Sequence, residues 1–357
     1  MGKIRYGMIG FGGIAENRLA KEGFACDRKR FAPLEEAELV AVTDVNPARK
    51  AAAEALGLGW RPDADAMLAD PGIDAVVVAT NNRTHFPLAS QALRASKPVL
   101  VEKPISTTSK EAAELVALAA EKGLSLGVDH MMVYNVLNRK AHELIANGAI
   151  GPVNDATFHM LFPYGYEPAE AASWRCSRIE EMGGPIGDVA SHCFYLMEFL
   201  LGVRITAVRA VYYPKKMAIA AEDGALIQCD LLNGISATAL VSFSDKRGGL
   251  HAMLGNLGYE CYGDRGALRG YGTMFQLSGY RDEPYPIRLE LDKPEGLETF
   301  TPDKPVNLYQ ESIRSHANSI RSGHRLTGED GLRNVKLCEA AHLSARRGGE
   351  TITLQTL

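Results

Sequence analysis

The chain has 357 residues, which is too long for most single cores, so two domains are expected. Hydrophobic residues make up 46% and charged residues 23%, a mixture that excludes disordered and fibrous chains. The net charge of −4 offers no basic excess to neutralise a phosphate backbone, so no nucleic-acid partner is expected. The uncharged apolar runs are far shorter than the roughly 18 residues that cross a bilayer, and the six cysteines form no Cys-x-x-Cys pair. We therefore expect a soluble, reduced, cytoplasmic protein with no membrane partner.

The first third of the chain alternates between strand and helix patterns. Strands are predicted at residues 3–9, 38–43, 73–80 and 99–101, and helices at residues 13–21, 47–56, 85–95 and 109–122. Nearly continuous Val/Ile strands with helices between them indicate a parallel sheet that is buried on both faces. This pattern predicts an α/β domain with a doubly wound parallel sheet, which we place at residues 1–128.

The pattern changes in residues 129–357. An alternating run at 153–161 and a helical pattern at 187–200 are followed by strand-like runs at 208–213, 224–232, 236–244 and 259–262. Helices are predicted at 140–147, 308–322 and 332–347. Because consecutive strands without helices between them favour antiparallel pairing, we expect a second, α+β domain with a large, mainly antiparallel sheet.

A dinucleotide-binding pattern follows the first predicted strand. Gly10-Phe11-Gly12-Gly13-Ile14-Ala15 reads G-x-G-x-x-A between a strand and a helix, which is the context that this fingerprint requires. Gly10 makes the tight turn, Gly12 lets the backbone approach a pyrophosphate, and Ala15 lets the helix pack closely on the strand. The N–H groups at the helix start then face the phosphates. The pattern predicts a Rossmann domain that binds a dinucleotide through residues 10–14.

The second predicted strand ends at Asp44, whose carboxylate suits the adenosine ribose hydroxyls and repels a 2′-phosphate. No basic residue follows at once, and Arg49 is a helical turn or more away, so NAD is expected in preference to NADP. Capping of the next helix is the alternative role for Asp44. Asp44 lies 34 residues after Gly10 rather than the usual about 20, and the excess falls at 23–36. That insertion is interpreted as a solvated surface loop, with an active-site role as the alternative.

Two later segments contain further motifs. The first is Thr80-Asn81-Asn82-Arg83-Thr84-His85, followed by Glu102-Lys103-Pro104, and the second is Gly183-Gly184-Pro185-Ile186-Gly187-Asp188-Val189-Ala190-Ser191-His192. They resemble the Thr-Pro-Asn and Glu-Lys-Pro strand ends and the glycine run, with Asp and His four residues apart, of the Gfo/Idh/MocA family, the oxidoreductases related to glucose-fructose oxidoreductase and inositol dehydrogenase. Asn81 stands where the family usually has proline, and residues 129–138 lack an Arg and a Pro often found there.

The resemblance implies an oxidoreductase that transfers a hydride between NAD(P) and a secondary hydroxyl of a sugar, cyclitol or glycoside. It places Thr80, Asn82, His85, Glu102 and Lys103 beside the cofactor, with a role at the start of a helix as the alternative for His85. It also implies a cis Lys103–Pro104 bond. The second domain is expected to bind the substrate and to form a dimer or tetramer through its sheet.

Three residues have the chemistry that such a reaction needs. Lys103 lies at the carboxyl end of a predicted parallel strand, where its ammonium can stabilise a developing alkoxide. Asp188 and His192 are four residues apart on one predicted helix and therefore share a face. Histidine suits removal of the hydroxyl proton, and Asp188 can orient the substrate or pair with Lys103. The alternatives are a surface lysine and, for the other two, a local helix pair or a core histidine.

Trp174 and Arg175 precede the glycine run and are candidates for contact with a sugar, Trp174 by stacking and Arg175 by hydrogen bonds. Core packing is the alternative for Trp174. No metal is expected, since no second ligand pair accompanies His192 and Cys193. Two other functions stay open: an enzyme that keeps NAD bound through a redox cycle or glycoside cleavage, and a non-catalytic dinucleotide sensor. Lys103, Asp188 and His192 argue against the sensor, which needs none of them.

Overall fold

The computed structural model describes residues 2–247 and 254–356. The chain forms two compact units, one of Met1–Met131 with Asn307–Val335 and the other of Met132–Val306 with Lys336–Leu357. Residues 129–357 are predicted from the sequence to form the second domain. Residues 307–335 instead pack in the first unit, because the helix Leu308–Ser322 buries one face there. His316 Nδ1 on that helix is hydrogen-bonded to the Tyr6 hydroxyl at 2.7 Å.

The first unit contains a parallel sheet of six strands within the described residues, in the order β3-β2-β1-β4-β5-β6. Every neighbouring pair in it is parallel. The strands are β1 Ile4–Ile9, β2 Ala37–Thr43, β3 Gly59–Trp60, β4 Ala75–Val78, β5 Val99–Val101 and β6 Leu126–Val128. β4 and β5 are buried along their whole length, as a sheet covered on both faces requires. The order is that of a doubly wound dinucleotide-binding domain, so the predicted α/β class is confirmed.

The helices of the first unit begin and end at recognisable signals. The helix Ser109–Lys122 starts after Thr108, whose hydroxyl accepts the Glu111 N–H, and it ends at Gly123 with φ of +66°. The helices are Ala15–Gly23, which is π-helical, Lys50–Ala55, Ala64–Ala69, Asn82–Arg94, Ser109–Lys122 and Leu308–Ser322. Glu329–Arg346 begins in this unit, and the division between the units falls within it. None of the described helices is long and apolar enough to cross a membrane.

The insertion at 23–36 is not the solvated loop that the sequence suggested. Phe31 and Leu34 are buried, and the Gln310 side chain donates a 2.8 Å hydrogen bond to the carbonyl of Ala32. Arg314 pairs with Glu36 from the same helix, Leu308–Ser322. The segment is therefore held against a helix that lies almost 300 residues later in the chain, a contact that local composition does not reveal.

The second unit contains a sheet of nine strands in the described residues, ordered β14-β13-β12-β11-β7-β10-β9-β8-β15. Only the β7–β10 pair among them is parallel, so the expected mainly antiparallel sheet is confirmed. The strands are β7 Val153–Leu161, β8 Ile205–Tyr212, β9 Gly224–Leu231, β10 Ser236–Ser242, β11 Leu257–Gly263, β12 Gly266–Tyr271, β13 Arg288–Lys293, β14 Gly296–Phe300 and β15 Ile352–Thr353.

Helices cover one face of this sheet. The helix Ser191–Leu201 is apolar nearly all round and buried, and it contacts β7 and the helix Val136–Ala146. The other helices of the unit are Pro168–Ala171, Trp174–Ser177 and the π-helical turn Ile186–Ala190, which runs directly into Ser191–Leu201. Short 3-10 turns lie at Pro47–Arg49, Met131–Tyr134, Ile179–Glu181, Leu254–Asn256 and Leu354–Thr356.

Candidate cofactor and catalytic sites

The turn after β1 has no room for a side chain at its first glycine. Gly10 has a φ of +92°, and its N–H donates to the Thr43 carbonyl at 2.8 Å. A Cβ at Gly10 would lie 2.5 Å from the Ala79 carbonyl oxygen. Gly10 is therefore required both by its backbone conformation and by the close approach of β4.

The next two glycines, in contrast, have open space around them. A Cβ at Gly12 or Gly13 would contact no protein atom within 4 Å, and both residues are exposed. Phe11 is buried before them, and Ile14 is half-buried after them where the helix begins. The loop thus presents open space next to main-chain N–H groups at a helix start, which fits the pyrophosphate of a dinucleotide.

Asp44 connects the end of β2 to this loop. Its Oδ2 accepts a 2.6 Å hydrogen bond from the Phe11 N–H, and its Oδ1 accepts a 2.8 Å bond from the Asn46 N–H. The side chain of Asn46, not that of Asp44, caps the following helical turn by accepting from the Ala48 N–H. The capping alternative for Asp44 is therefore wrong, and the carboxylate lies beside the glycine loop.

Arg49 also lies beside this loop, although the sequence placed it a turn or more away. Its Nε donates to the carbonyl of Phe11 at 2.7 Å, and its guanidinium lies 5.6 Å from the centre of the Phe11 ring. The same guanidinium pairs with Glu16, and the Lys21 ammonium lies 2.6 Å from the other oxygen of that carboxylate. The hydrogen bonds from Lys21 and Arg49 lower the pKa of Glu16.

Thr80 and His85 follow β4. Thr80 lies in the segment before the helix Asn82–Arg94, and His85 lies in the first turn of that helix. His85 is buried, with Nδ1 2.6 Å from the Pro104 carbonyl and Nε2 3.2 Å from the Thr80 carbonyl. Burial lowers the pKa of its imidazole. His85 therefore links the segments that follow β4 and β5 at the start of this helix. Asn82 is buried in the same turn.

Lys103 is the second residue after β5, and the Lys103–Pro104 bond is cis, as the resemblance implied. The Lys103 N–H donates to the Glu102 carboxylate at 3.1 Å. Asp129, which follows β6, lies fully buried beside Glu102, and burial together with the Glu102 charge raises the pKa of Asp129 well above its usual range. Burial lowers the pKa of the neighbouring His130 to about 4. Sequence reasoning missed Asp129, although its place at a strand end is the signal that selected Lys103.

In the second unit, Asp188 lies in the π-helical turn and pairs with Arg175. The Arg175 Nε donates to Asp188 Oδ2 at 3.1 Å, and the Asp188 charge is the main cause that raises the pKa of Arg175. The guanidinium lies 4.7 Å from the centre of the Trp174 ring. Trp174 and Arg175 therefore belong to the same cluster as Asp188.

His192 follows in the helix Ser191–Leu201 and is only 5% exposed. Its Nδ1 is hydrogen-bonded to the Tyr195 hydroxyl at 2.7 Å, and the two rings meet edge to face. This contact fixes the orientation of the imidazole. Tyr195 was missed, although its i, i+3 spacing from His192 is a helical neighbour relation that the sequence contained.

A buried glutamate supports the glycine run before Asp188. Glu222 Oε1 accepts the Ile186 N–H at 2.8 Å, and a Cβ on Gly184, which has a φ of +78°, would collide with the Glu222 carboxylate. Burial raises the pKa of Glu222 to about 7. Nothing in the local sequence joins Glu222 to residues 183–187, since they are almost forty residues apart. Within the described residues, no group of three or more potential ligands is arranged to hold a metal ion.

Two family models match the chain. One, described as an oxidoreductase family with an NAD-binding Rossmann fold, matches residues 4–130, and a GFO/IDH/MocA C-terminal domain matches residues 138–269. The 1,5-anhydro-D-fructose reductase of Ensifer adhaerens is 31% identical over 272 residues, 74% of this chain and 75% of that protein. The inositol 2-dehydrogenase of Rhizobium meliloti (strain 1021) is 26% identical over 352 residues, 95% of this chain and 96% of that protein.

A solved structure shares the whole fold. The aldose-aldose oxidoreductase from Caulobacter crescentus, complexed with glycerol, superposes with a TM-score of 0.83 at 23% identity. The match covers 98% of this chain and 99% of that one. The likeness extends through both units.

Proposed function

The chain belongs to the Gfo/Idh/MocA family of NAD(P)-dependent oxidoreductases, and we propose that it transfers a hydride between NAD and a secondary hydroxyl of a sugar, cyclitol or glycoside. The observation that carries the cofactor half of this proposal is the open space over Gly12 and Gly13 at a helix start. Relatives named as a sugar reductase and an inositol dehydrogenase support the substrate class. When bound, the nicotinamide supplies the hydride acceptor or donor.

We assign the proton and charge chemistry to three side chains. His192 takes the hydroxyl proton, and the hydrogen bond between its Nδ1 and the Tyr195 hydroxyl orients the imidazole. Lys103 stabilises the developing alkoxide as the hydride leaves. Asp188, held by Arg175, orients the substrate, and Trp174 and Arg175 line the sugar site. Glycines 10, 12 and 13 with Phe11, Ile14 and Asp44 hold the dinucleotide, as do the strand-end residues Thr80, Asn82, His85 and Glu102.

NAD is favoured over NADP because Asp44 lies next to Phe11 with its charge beside the loop. A carboxylate that faces a phosphate costs on the order of 1–3 kcal/mol, the scale of an unsatisfied or repelled polar contact. Fluorescence titration of the wild-type chain with NADH and NADPH measures the preference. Asp44→Ala should narrow the gap, mainly by weakening NADH. Equal or tighter NADPH binding by the wild type contradicts this assignment.

Turnover across a panel of sugars, cyclitols and glycosides, followed by the absorbance of the reduced nicotinamide, tests the reaction. NADH production with one class of substrate is the expected result. Conversion of substrate without free NADH favours the alternative in which NAD stays bound through a redox cycle or glycoside cleavage. Dinucleotide binding with no turnover on any member favours the sensor.

We further propose a homo-oligomer formed through the sheet of the second unit. Val211 on β8 and Leu226 on β9 are direct neighbours in the register and are 55% and 45% exposed. Paired apolar side chains on an open sheet face are typical of an interface. Sedimentation velocity should give a dimer or tetramer, and a monomer at micromolar concentration contradicts the proposal. The six free thiols suit the cytoplasm, where we place the protein.

A further inference from the structure

Two oppositely charged side chains are hydrogen-bonded to the main chain of the same residue of the cofactor loop, Phe11. Asp44 accepts from the N–H of Phe11, and Arg49 donates to the carbonyl of Phe11 at 2.7 Å. A ribose bound at Asp44 therefore has a guanidinium for a neighbour. An arginine in this region is the usual partner of the 2′-phosphate of NADP. The cofactor loop therefore has beside it one group that repels the 2′-phosphate of NADP, the Asp44 carboxylate, and one that attracts it, the Arg49 guanidinium.

Glu16 determines whether the Arg49 guanidinium can bind a phosphate. It stands in the first turn of the helix after the glycines, and its carboxylate pairs with the Arg49 guanidinium through Nη2 while Nε is held by Phe11. The side chains of Arg49 and Glu16 are 29% and 17% exposed, so solvent screens the pair only in part. Lys21 approaches the other carboxylate oxygen at 2.6 Å and helps to keep Glu16 in place.

We propose that Glu16 is a specificity-determining residue that excludes NADP by holding the Arg49 guanidinium away from a 2′-phosphate. The inference rests on the proposed function and deepens it. Asp44 repels the phosphate directly, whereas Glu16 removes the cation that would compensate that repulsion. A change at Glu16 therefore alters the response to the 2′-phosphate and leaves the rest of the dinucleotide unaffected.

The test is fluorescence titration of NADH and NADPH with the full chain and its Glu16→Gln variant, which keeps the side-chain length and removes the charge. We expect the NADPH dissociation constant to fall about five- to tenfold, the worth of one charge-assisted contact, while that of NADH changes less than twofold. Because the new contact is electrostatic and partly exposed, the gain should shrink between low and physiological salt.

Two further variants separate this mechanism from a general change of charge. Glu16→Gln combined with Arg49→Met should lose the gain for NADPH, since no guanidinium is left to bind the phosphate. Glu54→Gln, which removes an exposed carboxylate one turn beyond Arg49, should leave both dissociation constants unchanged. Thermal unfolding followed by circular dichroism checks that each variant is folded.

The outcomes are distinct. An unchanged ratio of NADPH to NADH affinity in a folded Glu16→Gln variant overturns the inference and leaves the proposed function intact. A gain that persists without Arg49, or that appears equally in Glu54→Gln, also overturns it. Failure of the wild type to bind either dinucleotide overturns the proposed function together with the inference.

Discussion

The two glycine-rich turns of this protein, at residues 10–13 and 183–187, are built on different principles. The first is made of main chain: Gly10 fits because nothing larger does, and Gly12 and Gly13 leave space for a ligand. The second is held by side chains from elsewhere: Glu222 accepts the N–H of Ile186, and Arg175 pairs with Asp188. A site that is built from main chain therefore tolerates little change in residue size, whereas a site that is built from side chains depends on the residues that contact those side chains.

The strongest way to break the first turn is Gly12→Val. The new Cβ meets no protein atom within 4 Å, so the fold should persist, but the side chain fills the space assigned to the pyrophosphate, and NADH binding should be lost. Titration of NADH fluorescence, with circular dichroism as the check on folding, measures both. Gly255→Val is the matched control, because its Cβ also meets nothing within 4 Å, and its NADH affinity should equal that of the wild type. Normal NADH affinity in a folded Gly12→Val chain would put the phosphate site elsewhere.

The residues assigned to the chemical step should affect turnover and not cofactor binding. His192→Ala and Lys103→Ala should each lower kcat about 10²–10⁴-fold, the usual worth of a positioned acid, base or oxyanion donor. NADH affinity should change far less than kcat, since neither change touches the glycine loop to which the pyrophosphate is assigned. Steady-state kinetics on the substrate found in the panel, together with NADH titration, separates the two effects.

The pH dependence of kcat distinguishes the two roles. Oxidation should accelerate as pH rises because the base must be deprotonated to accept the hydroxyl proton, and this acceleration should vanish in His192→Ala. Tyr195→Phe, which removes the partner of Nδ1, should lower kcat only about tenfold, the worth of one hydrogen bond. If the acceleration with rising pH persists in His192→Ala and disappears in a Lys103 variant, Lys103 is the base and His192 stabilises the alkoxide. Near-normal turnover in both alanine variants removes the site altogether.

Arg175→Met tests the dependence of the second turn on its partners. The change leaves the buried Asp188 carboxylate without this cation, so the free energy of unfolding should fall by about 1–3 kcal/mol and kcat/KM should fall with it. Urea denaturation and steady-state kinetics measure the two losses. Arg209→Met is the control, since the Arg209–Asp230 pair is more exposed and should be worth less than about 1 kcal/mol. Equal losses in the two variants would show that the Asp188 pair has no special weight.

Glu222 should give the stability of the protein a pH dependence. Its pKa of about 7 in the folded chain lies above its ordinary value of 4.5, so between these pH values the folded chain holds a proton that the unfolded chain has released. The free energy of unfolding should therefore fall as pH rises from about 4.5 to 7, by at most about 1.4 kcal/mol per pH unit.

Glu222→Gln keeps an acceptor for the Ile186 N–H and cannot ionise, so it should flatten this decline. Urea denaturation of wild type and variant at pH 5, 6, 7 and 8 gives the slopes to compare. Glu54→Gln removes an exposed carboxylate and should leave the slope as in the wild type. Parallel curves for Glu222→Gln and wild type contradict the prediction.

Features that depend on local residue type could be predicted from the sequence. The helices at 109–122 and 308–322 and the strands at 99–101 and 153–161 were predicted to the residue, since caps and apolar periodicity are local signals. The G-x-G-x-x-A pattern predicted the turn at Gly10 for the same reason, because a positive φ and a close strand are requirements on one residue.

Contacts between side chains that are distant in the sequence could be seen only in the tertiary structure. The π-helical start of the helix that carries His192, the packing of 307–335 in the first unit, and the contact of Arg49 with Phe11 were not predicted from the sequence. Each depends on segments that are brought together by burial of apolar faces, and the hydrophobic effect is non-directional, so it names no partner in advance. Hydrogen bonds and ion pairs such as that of Glu222 with the N–H of Ile186 are then set by the positions that packing imposes.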